Sequence, residues 1–199
     1  MHINKSINKY IDDLAARKPT PGGGSAAGVC GALGIALLEM VCNFTIGNQK
    51  YKAVQEDIRK SLVALKKIRE EFTALVDEDA RIYSAISSAF KTKDKKNIDN
   101  ALRDGYLVSL KMCRLSNLGL QIALDISGKG NPNLITDIGC GAELLGAAFN
   151  SGIFNSEINL KGIEDKEFVE KERIVLDALG TEKGILYKGA ITKTKEKMG

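Results

Sequence analysis

Between Pro19 and Gly28 the chain reads Pro-Thr-Pro-Gly-Gly-Gly-Ser-Ala-Ala-Gly, and the residues from there to Leu38 are small and apolar. The prolines forbid a helix from running through, and the glycines leave a bare backbone that a ligand or neighbouring helix can approach closely. The apolar stretch 26–38 has no polar face, so a helix made from it must be enclosed on most sides. That places it at the centre of a bundle or at a subunit interface. It is too short for a bilayer, which takes about 20 apolar residues. A loop feeding a helix N-terminus, with Ser25 near the cap, also presents backbone N–H groups to an anion or a polarised carbonyl. A plain Gly-rich turn before a tightly packed helix fits the same residues, and both readings stay open.

Spacing removes the better-known phosphate loops. A P-loop needs Gly-Lys-Ser/Thr, and Gly24-Ser25-Ala26 has no lysine. A dinucleotide fingerprint needs a preceding strand, whereas Asn8 to Lys18 reads as helix.

The rest of the chain carries a helical period. Asn4 to Arg17 places Ile7, Tyr10, Ile11 and Leu14 on one face, and the second helix runs from about Ser25 to Phe44. Val54, Ile58, Leu62, Leu65, Ile68, Phe72, Leu75, Tyr83, Ile86 and Phe90 then recur at steps of three and four, apart from a gap after Leu75. That stripe brings Asp79 onto the apolar face, while Asp77 and Glu78 fall off it into wetter surroundings. A carboxylate facing a core is costly without partners, so Asp79 is the most informative charge in the chain. It serves either chemistry or structure, the latter by capping a helix or pairing with a lysine. Residues 91–100 read as a charged connector. A fourth helix covers about Ile98 to Ser127, with Gly105 as a point where it could break and with Asn117 on its apolar face. A fifth starts after Asn131-Pro132 and runs to about Asn150, placing Asp137 among small and apolar neighbours, and Ser151 to Asn159 reads either as an extended turn or as a continuation of that helix. Two amphipathic helices, Glu164 to Leu179 and Glu182 to Lys197, close the chain. The expected class is all-α, a single domain over 1–199 built as a bundle of six to seven helices. It is expected to assemble as a homodimer or higher oligomer.

Composition narrows the function. At 199 residues with 44% apolar and 27% charged, the chain is an ordinary globular domain. Its net charge of +4 is a mild bias towards anions, well short of a nucleic-acid binder. Cys30, Cys42, Cys113 and Cys140 are far apart, without zinc spacing, and read as buried free thiols of a reducing cytoplasm. The one histidine, His2, leaves no basis for histidine catalysis or a His-ligated metal. No apolar signal segment is read in Met1 to Tyr10. Neither a membrane nor a nucleic acid is expected as a partner.

Three segments taken together resemble the cyclodeaminase/cyclohydrolase family. They are Pro19–Gly28, Asp77-Glu78-Asp79-Ala80, and Gly130-Asn131-Pro132-Asn133 with Thr136-Asp137-Ile138-Gly139. The Gly47–Tyr51 turn and Ile158-Asn159-Leu160 fit the same pattern, and the resemblance spans nearly the whole chain. One departure is Ser109, where members of the family often carry proline. The resemblance implies an all-helical homo-oligomer acting on one-carbon derivatives of tetrahydrofolate. Its members include the C-terminal domain of formiminotransferase-cyclodeaminase and free-standing methenyltetrahydrofolate cyclohydrolases.

The residues suit that chemistry. The methenyl carbon of such a substrate is an amidinium-like cation that needs a placed water, a base and a compensating carboxylate, with no metal, prosthetic group or covalent nucleophile. Asp79 or Asp137 can supply the base. Pro21, Gly22, Gly23, Gly24, Ser25 and Asn131 are the expected substrate-binding groups. The glutamate tail of folate suits Lys50, Lys91 or the lysine-rich C-terminus. Hydrolysis is the first expectation, because no fused transferase segment accompanies the motif. The rivals are formiminotetrahydrofolate cyclodeaminase, which needs a general acid for departing ammonia, and a helical interaction protein without activity. Folate binding separates the last from the other two.

Overall fold

A computed structural model describes residues 1–199 as six α-helices and no strand. They are α1 (Ile7–Ala15), α2 (Gly23–Thr45), α3 (Gln55–Thr92), α4 (Lys95–Lys129), α5 (Ile135–Gly162) and α6 (Lys166–Met198). Short 3-10 turns at Gln49–Val54 and Pro132–Leu134 join α2 to α3 and α4 to α5.

Helices α2, α3, α4 and α5 form a closed up-and-down square in which each packs on its chain neighbours and α5 closes onto α2. Helix α6 lies outside, across α4 and α5. The main core runs through the middle of the square, from Ile35, Leu38 and Val41 to Phe72, Leu120 and Leu145. A smaller cluster around Leu102, Tyr106, Leu160 and Val169 lies under α6. Small residues let the helices approach. A Cβ on Gly31 would overlap the ring of Phe72, and Gly34 lies against the backbone of Gly141. Gly28 packs on Val76 of α3. These glycines therefore seat α2 against its own chain.

Helix α2 is also long and apolar enough, by length and composition alone, to cross a membrane. Here 56% of that apolar window is buried inside the fold. Glu39 on its inner side is held by Arg69 Nε at 2.7 Å.

The four bundle helices are unequal. Helix α2 has 23 residues against 38 in α3 and 35 in α4. At 1.5 Å per residue the others overrun its N-terminal end by several turns. One side of the corner left by α2 is walled by the Pro-Gly segment.

Several expectations need correction. Helix α2 begins at Gly23, capped by extended Gly22, so Ser25 lies inside the first turn. Helix α4 passes through Gly105 unbroken. Of the two readings of Ser151 to Asn159 the continuing helix holds, α5 running to Gly162, whereas α6 is one helix through Gly180, whose surroundings are open. The charged connector shrinks to Lys93 and Asp94: Lys93 takes the left-handed conformation that ends α3, and Asp94 caps α4. Beyond Leu75 the buried face of α3 drifts to Val76, Ile82 and Ala89, because 3.6 residues per turn do not keep step with a seven-residue repeat. Tyr83 and Phe90 are exposed. Cys140 is exposed too, unlike Cys42 and Cys113, whose thiols burial pushes up to about 12.

Candidate active site

A cavity of about 320 Å³ fills the vacated corner of the bundle. The Pro19–Gly24 segment forms one wall, and α3 contributes Asp79, Ile82, Tyr83 and Ile86. Opposite lie Gly105, Val108 and Ser109 of α4 with Asn155, Ile158 and Asn159 of α5.

Asp79 is the only formally charged residue in this lining. Its Oδ2 accepts the backbone N–H of Ser25 at 2.9 Å, one of the first-turn donors of α2 that no helical carbonyl can reach. A Cβ on Gly24 would overlap Asp79 Oδ1, so glycine there is what lets the carboxylate sit against the helix end. Burial pushes the Asp79 carboxyl above its ordinary value, and the Ser25 hydrogen bond pulls against that without cancelling it. Ser25 Oγ in turn lies 3.0 Å from Tyr10 Oη of α1. Burial likewise raises the Tyr10 phenol. The neighbouring Asp77 is held too: its Oδ1 accepts the backbone N–H of His2, and its Oδ2 is buried without a partner. Only Glu78 meets the expectation of a solvated group, pairing with Arg81 at 2.5 Å.

Gly22 and Gly23 have open space where a Cβ would stand, and neither needs a positive φ. Their bareness faces the cavity rather than serving the turn. Pro21, after a cis peptide bond, is buried behind the loop.

The remaining sequence candidates do not gather here. Asn131 lies at the opposite end of the bundle, its backbone N–H on Thr45 Oγ1 at 3.0 Å and its side chain accepting from Tyr51 Oη at 3.1 Å. Asp137 is in the first turn of α5, one turn before Gly141, which packs on Gly34 and Leu38. Asp79 meets α2 at Ser25. Within one chain the two aspartates are therefore separated by roughly 20 Å of helix α2. Lys50 is exposed on the Gln49–Val54 turn at the Asn131 end. Lys91 is exposed in the last turn of α3, at the cavity end but outside the lining.

Sequence reasoning passes over Tyr83, Ser109, Asn155 and Asn159 as site residues. A signal for the last two exists: Ser151, Asn155 and Asn159 repeat every fourth residue and so form one polar line along α5. Ser109, a departure from the family pattern with no evident link to chemistry in the sequence, lines the cavity, and its hydroxyl donates to Gly105 O at 2.9 Å.

The chain is 33% identical to a methenyltetrahydrofolate cyclohydrolase of Methylorubrum extorquens, over 98% of both proteins. It is 28% identical to the formimidoyltransferase-cyclodeaminase of Rattus norvegicus over 98% of its own length, and spans 38% of that larger protein. Among solved structures, formiminotetrahydrofolate cyclodeaminase from Thermotoga maritima matches with a TM-score of 0.93 and 28% identity, covering 97% of each chain. A family model described as formiminotransferase-cyclodeaminase aligns with residues 6–177. That span takes in the Pro-Gly segment, the Asp79 helix and the polar line on α5, and with it the chain belongs to the formiminotransferase-cyclodeaminase family.

Proposed function

We propose that this chain is a methenyltetrahydrofolate cyclohydrolase, adding water to the methenyl carbon and opening the five-membered ring to give formyltetrahydrofolate. The observation that carries this is the charge of the cavity, where Asp79 stands with no lysine or arginine beside it. A lone carboxylate in a partly desolvated site is matched by a cation, and the methenyl group is one. Asp79, its affinity for a proton raised by burial, takes a proton from water as the oxygen bonds to the methenyl carbon. The carbon–nitrogen bond of the small ring then breaks. The nitrogen keeps the electron pair and receives the proton held by Asp79, and the hydroxyl loses its own proton to solvent as the formyl carbonyl forms. One water is consumed and one proton released. The free first-turn amides of α2 are suited to the oxygen on which negative charge gathers.

The likeness to formiminotetrahydrofolate cyclodeaminase of Thermotoga maritima over 97% of both chains favours a second reading, in which the same carboxylate protonates departing ammonia. Steady-state assays of purified protein with both folates decide. Loss of the methenyl chromophore without ammonia release from formiminotetrahydrofolate supports the hydrolase; ammonia release with no hydration overturns it.

We infer further that two copies pair through the outer faces of α2 and α5. Leu33 and Phe44 on α2, with Phe154 and Ile158 on α5, are more than half exposed. Leu144 lies between the helices, its carbonyl accepting from Cys30 Sγ at 3.3 Å. In this pairing the two-fold axis stands perpendicular to α2, so that the two α2 helices run antiparallel. It brings the Asn131–Asp137 end of one copy, with Lys50, to the Asp79 cavity of the other. In this arrangement Asp137 and Asn131 complete the substrate site, and Lys50 and Lys91 are placed to meet the acidic tail. The free cysteines support a reducing, cytoplasmic setting.

A further inference from the structure

The α5 wall of the cavity is built differently from the Asp79 wall. Asn155 Nδ2 donates to Ser151 O at 2.9 Å, and Asn159 Nδ2 donates to Asn155 O at 2.8 Å. Each amide is thereby tied to the helix turn below it, with its oxygen left over. Neither Oδ1 accepts any hydrogen bond within the protein, and neither is buried, so both are open acceptors on the cavity wall. Ser109 continues the pattern: its proton is committed to Gly105 O, leaving lone pairs.

The fold also makes room for this arrangement. Gly105 sits in the interior of α4, where glycine is disfavoured relative to alanine. A Cβ there would come within 3.0 Å of both amide atoms of Asn159 and 2.9 Å of Ile86. Its bareness seats the Asn159 amide flat against the neighbouring helix.

We propose that Asn155 and Asn159 are specificity-determining residues that read the donor edge of the substrate's ring system, the adjacent ring N–H and exocyclic amino group of a 2-amino-4-oxo-pyrimidine. This rests on the folate reading above and deepens it. A row of acceptors rejects a ring lacking those donors, because the amide oxygens would then be desolvated with nothing to accept. It also sets the ring's orientation, with the aminopyrimidine against α5 and the methenyl carbon towards Asp79.

The test compares two ligands by calorimetry: tetrahydrofolate, and its counterpart with methyl in place of the 2-amino group. Wild-type protein is expected to prefer the amino compound by about tenfold or more, and the Asn155→Leu/Asn159→Leu double variant to bind both within about twofold. Gly105→Ala, which pushes the Asn159 amide aside without removing it, is expected to erode the preference in part. It also covers the case in which the double variant does not fold. Equal binding of both ligands by wild-type protein overturns the proposal, as does a preference that survives unchanged in either variant. Failure of the folate reading looks different: wild-type protein would then bind neither ligand and turn over neither folate.

Discussion

Asp79 stands between two opposing influences. The N-terminus of α2 offers it an amide and a favourable dipole, while burial between α3 and the Pro-Gly loop disfavours its charge, and burial is the larger effect. A carboxyl whose folded value lies above its unfolded one binds protons more tightly in the native state. Stability is therefore lost as pH rises from the unfolded value, near 3.9, through the folded one. Asp79→Asn keeps the shape and the acceptor for Ser25 but removes this penalty. It is expected to melt at the wild-type temperature or above it at neutral pH, while turnover falls about a hundred- to ten-thousand-fold. The acid limb of kcat/KM, set in wild-type protein by a group titrating above the ordinary aspartate range, is expected to vanish with it. Calorimetry and a pH–rate profile check both halves; a lower melting temperature with full turnover would make Asp79 a structural residue. The neighbouring glycines split in the same way. Gly24→Ala must displace the carboxylate from Ser25, so activity is expected to collapse with near-native helicity. Gly23→Val projects into open cavity and is expected to block folate binding while the fold persists. An unchanged dissociation constant in Gly23→Val would remove the loop from the site.

At the scale of elements, the helices are legible in the sequence because their buried residues repeat every three or four positions. Ile58, Leu65, Ile68, Phe72 and Leu75 lie where the periodicity puts them. The apolar run after Ser25 becomes a corner helix of the bundle, its small residues letting α3 and α5 close on it while Leu33 and Phe44 stay exposed on its outer face. Gly31→Ala is accordingly expected to destabilise by about 1–3 kcal/mol, since the added methyl meets the fully buried Phe72 ring, which cannot yield; denaturant titration measures it. The illegible part stems from the cavity. Asn150, Ser151, Asn155 and Ser156 are polar enough to suggest the end of α5, yet part of that polarity lines a site rather than solvent. Asp77 reads as wet because nothing in the local period shows that residues at the N-terminus fold back over it. Position along one helix reveals which side chains share a face; it does not reveal where a partner helix stops short and leaves that face open.

On the scale of the whole molecule, the motifs that look like one site in the sequence are divided between the two ends of a bundle. Pro19–Gly24 and Asp79 are at one end of α2, and Asn131 and Asp137 are at the other. The isologous pairing proposed over the exposed α2–α5 face would repair the division twice, once at each end, and would make each site depend on both copies. Subunit exchange tests this directly. Asp79→Asn and Asp137→Asn proteins, each with most of its turnover lost, are mixed under conditions that let subunits exchange. A heterodimer then holds one site carrying both substitutions and one carrying neither. With random exchange half of the dimers are mixed and half of their sites are intact, so activity is expected to recover to about a quarter of wild type. Recovery should follow the exchange kinetics seen by mass spectrometry of differently labelled chains. If exchange completes and activity stays at the level of the separate variants, each site is contained in one chain. Asp137 would then be a first-turn residue of α5 that favours the helix dipole and has no part in the chemistry.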